Sequence, residues 1–208
     1  MLRRLTYIAP LLAIISLAVM SLSKDSQAHD VDPLRTVIVQ VEVDRIDVMI
    51  LFEEPAGARA SLLLAKYDAD QNGQIDGAEA ELAGREMLPR MLAGLQFEVA
   101  GEQPRTAAPE IKFQTTPARG ITAAAFVSYA LPALESDKER TIHVRNLREK
   151  HGLPAEVLIR AGRDLRIASS TIPSTGGLAT QPHSLTPGSD ASAVIAHIEQ
   201  GSTEVSKN

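Results

Sequence analysis

Residues 35–53 read RTVIVQVEVDRIDVMILFE. Val37, Val39, Val41 and Val43 fall on alternate positions, with Thr36, Gln40 and Glu42 between them and Ile38 as the one apolar residue out of phase. A period of two with β-branched residues on one side is the pattern of a half-buried strand. Asp44-Arg45 breaks the run, and a second one follows with Ile46, Val48, Ile50 and Phe52 in phase. Met49 and Leu51 add apolar residues to its other face, so this strand is expected in a central place, paired with the first as an opening β-hairpin. The adjacent Glu53 and Glu54 resemble an acid pair, but neighbours on a strand point to opposite faces.

Beyond the hairpin the strand pattern returns. Leu95, Phe97 and Val99 alternate, Ile111 and Phe113 mark another strand, and residues 121–130 form a longer run. Residues 141–145 place Ile142 and Val144 inward and His143 outward, on a solvated sheet face. Residues 157–161 and 165–168 flank Gly162 and read as a closing hairpin. Seven or eight short strands separated by turn signals predict an antiparallel β-sandwich over residues 29–168. From residue 169 Ser, Thr, Pro and Gly dominate, and residues 169–188 read as a flexible linker. Ala191, Val194, Ile195 and Ile198 then fall at helical spacing, which predicts a short amphipathic helix and a disordered tail over 189–208.

Between the second and third strands, residues 57–94 change character. Residues 61–67, SLLLAKY, form helices readily; residues 78–93 predict a second helix, with Gly94 as its stop and Pro89 expected to kink or break it. The twelve residues between, 68–79, read DADQNGQIDGAE. Asp68, Asp70 and Asn72 take positions one, three and five, Gly73 position six, Gln74 seven, Asp76 nine and Glu79 twelve. This fits D-x-[DN]-x-[DN]-G-x₅-E and resembles an EF-hand calcium loop over roughly residues 58–92. The resemblance implies that calcium is held by the side chains of Asp68, Asp70, Asn72, Asp76 and Glu79 and by the backbone carbonyl of Gln74, with oxygens at about 2.4 Å. Ile75 would point away from the ion. Such loops usually come in pairs, and no second ligand series is present. A lone hand implies weak binding, with a dissociation constant on the order of 0.1–1 mM, and a structural role where calcium is plentiful.

At the start of the chain, Arg3 and Arg4 precede an apolar run over residues 8–22, and Ser26-Gln27-Ala28 offers a cleavage site. Residues 1–28 are expected to be a signal peptide, with His29 the mature terminus in the periplasm or outside the cell. Removing its three basic residues and one acidic residue leaves 18 basic and 25 acidic, a net charge of about −7. That balance argues against nucleic acid and anionic membranes as partners. With no cysteine there are no disulfides, and no tryptophan and few other aromatics leave little for a base-stacking surface.

The order of leader, histidine, VEVDRIDVMILFEE, the acidic loop and a β-rich remainder is similar to the soluble domain of bacterial nickel/cobalt-permease-like and hydrogenase/urease accessory membrane proteins. The resemblance covers roughly residues 29–168 and implies a membrane-protein or other extracytoplasmic protein partner. Transport is not implied, since no membrane spans follow. The chain lacks G-x-S-x-G, H-E-x-x-H, a cysteine nucleophile and a phosphate loop. The expected function is a non-enzymatic, exported calcium-binding protein whose β-sandwich serves protein interaction. The alternative is a periplasmic copper or nickel carrier using His29 with His143 or His151.

Overall fold

The computed structural model describes residues 34–104, 110–116, 120–148 and 153–198. The expected signal peptide, His29, His151 and the tail beyond residue 198 lie outside the described residues. The described chain is mostly β, with two helices and two sheets.

Strands β1 (Leu34–Val41) and β2 (Arg45–Pro55) form the antiparallel hairpin, with Val37 opposite Ile50 and Val39 opposite Val48. Its turn closes where Glu42 N donates to Arg45 O at 2.9 Å. Met49 and Leu51 are buried, as are Val48 and Ile50 on the other face. The reason is position: β2 lies between β1 and β5 (Gly120–Ala130), with no edge of its own.

Helices α1 (Ala58–Tyr67) and α2 (Gly77–Leu92) follow, then β3 (Leu95–Val99), β4 (Glu110–Thr116), β5, β6 (Glu139–Asn146) and β7 (Ala155–Ala161). The remaining strands are β8 (Leu165–Ser170), β9 (Ser174–Thr175), β10 (Ala179–Thr180), β11 (His183–Leu185) and β12 (Ser189–His197). The larger sheet runs β4-β5-β2-β1-β7-β10-β9, with β11 also pairing β7. The smaller runs β3-β6-β12-β8 and is antiparallel throughout. One apolar cluster unites Val39, Ile50 and Ile159 of the larger sheet with Val144, Ile167 and Ile195 of the smaller, and takes in Met87 and Met91 of α2.

Several sequence expectations are corrected here. The larger sheet is mixed, because β1 and β7 pair in parallel. Residues 157–161 and 165–168 are not a hairpin: β7 joins the larger sheet and β8 the smaller. Gly162 makes that crossing possible. Its N–H donates to Val41 O at 2.7 Å, and a Cβ there would stand 2.8 Å from the same oxygen and 2.3 Å from a Glu42 carboxylate oxygen. The carboxylate can swing away, whereas the β1 backbone cannot. Gly162→Ala is therefore expected to cost about 2 kcal/mol in urea unfolding. A loss below a few tenths would mean that the crossing is loose.

Residues 169–188 are no linker; they carry the end of β8 and then β9, β10 and β11. Ile172, Thr180 and Leu185 are buried, and the Thr180 hydroxyl accepts from Ile159 N at 2.9 Å. Their turn-rich composition serves tight reversals against β7. Residues 189–197 form a strand, not a helix. Helical spacing would have put Ala191, Val194, Ile195 and Ile198 on one face, yet Ile198 is exposed and Ala193 is buried with Ala191 and Ile195. Pairing on both sides, with β6 and β8, favours the period of two over the period of 3.6. Finally, α2 runs through Pro89 without a break. The proline stands in the last turn, where its missing N–H leaves only the carbonyl of exposed Arg85 without its helical partner.

Arg35 is fully buried at the junction of these elements. Its Nη1 donates to Met91 O (3.3 Å) and to Ala93 O, at the end of α2. Its Nη2 donates to Asn146 Oδ1 (3.1 Å) and to Leu153 O, just before β7. Asn146 in turn donates from Nδ2 to Leu153 O (2.9 Å) and Leu185 O (3.0 Å). Charged and amide donors thus meet the carbonyls that end α2, lead into β7 and end β11.

Candidate metal centre

The helical insert packs against β2 and β4 at one end of the larger sheet. Tyr67, the last residue of α1, is buried, and its hydroxyl donates to the Glu86 carboxylate of α2 at 2.7 Å. Lys66 pairs with the same carboxylate oxygen. These bonds, from Lys66 first and Tyr67 second, hold the Glu86 carboxyl below its ordinary range. The two helices are thereby tied together on either side of the loop.

Within the loop the backbone is folded on its own carboxylates. Asp68 accepts from Asn72 N (3.0 Å, Oδ1) and Gly73 N (2.9 Å, Oδ2). Asp70 accepts from Asn72 N (3.1 Å) and from the Asn72 amide (3.0 Å). Asn72 Oδ1 accepts from Gln74 N at 2.7 Å. Gly73 takes φ +81°, which a side chain would resist, and Gln71 takes φ +59°. Glu79 reaches back from the first turn of α2, where Oε1 accepts from Ala69 N (2.7 Å) and Asp70 N (3.2 Å). Its other oxygen, Oε2, is buried without a hydrogen-bond partner.

Carboxylate oxygens of Asp68, Asp70 and Glu79 lie within 4.8 Å of one another. Of the sequence-predicted ligands, these three are brought together, and Asn72 is hydrogen-bonded to Asp70 and, through its backbone, to Asp68. Gln74 and Asp76 are exposed, and the Asp76 carboxylate stands outside that group. Asp76 is instead the residue that opens α2, and its side chain makes no capping bond. All the clustered donors are carboxylate oxygens, the chemistry that suits a hard divalent cation rather than copper or nickel.

Among the described residues no other group of three or more His, Asp or Glu side chains converges in this way. His143 is half-buried on β6. Glu53 and Glu54 stand on opposite faces of β2. Burial pushes the carboxyls of both upward; at Glu54 the Arg59 guanidinium, 3.2 Å away, opposes that shift. They form no acid pair.

The Lys66–Glu86 pair is not legible in the sequence, because a twenty-residue separation carries no local signal. Ile121 and Phe113, legible in the sequence only as strand residues, join Tyr67, Ile75 and Ala83 in a second apolar cluster that includes the loop. No family model matches this chain, and no curated protein matches it. No helix among the described residues is long and apolar enough to cross a membrane, which says nothing of a β-barrel.

Proposed function

We propose that the protein is an exported, non-enzymatic calcium-binding protein. Residues 58–92 act as a single EF-hand, and the two sheets act as the layers of a β-sandwich that meets a protein partner, a membrane protein being one such partner. The observation that carries this reading is the orphaned oxygen of Glu79. A buried carboxylate oxygen without a hydrogen bond is costly unless a cation meets it. The Glu79 carboxylate is also the one that groups with carboxylate oxygens of Asp68 and Asp70, within 4.8 Å, at the loop positions where an EF-hand holds its ion. Asp68, Asp70, Asn72, Asp76 and Glu79 would hold calcium through side chains and Gln74 through its carbonyl. Bound there, calcium supplies positive charge that neutralises the acidic loop and joins α1 to α2.

Calorimetric titration of metal-stripped protein tests this. One calcium per chain is expected, with a sub-millimolar dissociation constant, and no tight copper or nickel binding. Calcium at ten times its dissociation constant is expected to stabilise the fold by about 1.4 kcal/mol, visible as a raised thermal midpoint. No binding up to several times the millimolar range would sink the proposal. Tight copper or nickel binding with calcium silent would move the function to His29.

A further inference from the structure

The liganding oxygens of the loop are only one of its two faces. Tyr67, immediately before Asp68, is buried. Ile75, between Gln74 and Asp76, is 3% exposed, and Ala83, one turn after Glu79, is fully buried. These three belong to one small apolar cluster with Ala60 of α1. Among the described residues, its fully buried member outside the helical insert is Ile121, at the start of β5, 1% exposed. Phe113 of β4 packs against it, partly buried.

We infer that Ile121, with Phe113 beside it, is a positioning residue for the metal loop, so that cation binding is coupled to the pairing of β4 with β5. The inference rests on the calcium reading above. The ligands arrive from both sides of Ile75, with Asp68, Asp70 and Asn72 before it and Asp76 and Glu79 after it. A loop free in solution must order all of these residues when it binds, and affinity falls accordingly. Here three apolar anchors, before, within and after the ligand series, share one buried cluster with Ile121 of the sheet. The fold has already ordered the segment. The chain contains no second loop of this kind, and Ile75 is already covered inside the protein. The sheet therefore supplies the support that a lone loop lacks. Linkage makes the effect reciprocal: if Ile121 strengthens calcium binding, calcium must stabilise the packing around Ile121 by the same factor.

The test compares calcium affinities of metal-stripped wild type, Ile121→Ala and Ile159→Ala. Ile159 is as deeply buried, but lies in the larger cluster on β7. Ile121→Ala is expected to weaken calcium binding about tenfold, within the usual span of coupling between sites, while Ile159→Ala stays within about twofold. Ile121→Val, the milder change, is expected to weaken binding about two- to threefold and keeps the test alive if the alanine variant does not fold. Calcium is also expected to slow amide hydrogen exchange at residues 121–123 in the wild type. An Ile121 variant that folds and binds like wild type overturns the inference. So does an Ile159 variant that loses as much affinity as Ile121→Ala, since the effect is then one of general stability. A wild type that binds no calcium overturns the site reading itself, and that outcome is read before any variant is made.

Discussion

Arg35→Met is expected to lower the unfolding free energy by about 3–5 kcal/mol, because it leaves several buried oxygen acceptors without their donor. The guanidinium serves four oxygens at once: Met91 O, Ala93 O, Asn146 Oδ1 and Leu153 O. Methionine replaces most of the stem but none of the donors. Each buried acceptor left alone costs about 1–3 kcal/mol, less where a second donor remains, as Asn146 does for Leu153 O. Domains of this kind are stable by only about 5–15 kcal/mol, so the variant stands near unfolding. Arg35→Lys keeps the charge but not the planar fork, and an intermediate loss of about 2 kcal/mol is expected. Urea unfolding followed by far-UV circular dichroism measures both. A loss under about 1 kcal/mol for Arg35→Met would show that water replaces the guanidinium and that the junction is not sealed.

The second large effect is on metal affinity. Glu79→Gln is expected to weaken calcium binding at least about a hundredfold, with no loss of sheet structure. Glutamine can keep the hydrogen bonds that Oε1 accepts from Ala69 and Asp70. With its oxygen there, however, its NH2 takes the place of Oε2 and turns N–H donors toward the cation, and both the charge and the bidentate acid at the last loop position are gone. Because Oε2 has no hydrogen bond to lose, metal-free stability is expected to hold or rise slightly. Asp68→Ala is expected to weaken binding severely as well, and it also removes the carboxylate that accepts from Asn72 N and Gly73 N, with Asn72 N keeping its bond to Asp70. Calorimetry with calcium and thermal melts without it separate the two quantities. Normal binding by both variants would mean that the loop does not hold the ion. Collapse of the whole domain in either would make the insert part of the core.

The local pattern made the hairpin and the loop legible before any coordinate. Val37 to Val41 and Ile46 to Phe52 carry a period that only a strand satisfies, and their pairing needs only a short turn. The spacing of Asp68, Asp70 and Glu79 has meaning because the loop is local. Arg35 could have been singled out by the same logic: it shares its phase with Val37, Val39 and Val41, on the face that becomes the core. A charged residue in register with a buried row requires partners. Which partners could not be read, because Met91, Asn146 and Leu153 are 56 to 118 residues away.

By itself, then, the amino-acid order determined the elements whose interactions are short in sequence: the first two strands, the helix pair with its acidic loop, and the strands up to residue 168. The period of side chains, the turn residues between them and the spacing of the acidic loop all act within a dozen residues. Only the tertiary structure decided where β7 and β8 go, and that β1 and β7 run parallel. It also turned residues 189–197 into a strand between β6 and β8, although their apolar residues fit a helix as well. A short segment that satisfies both periods has little free energy to choose between them. Ladder hydrogen bonds on both sides and a core that fits Ala191, Ala193 and Ile195 settle the choice, and neither exists until the rest of the chain has folded.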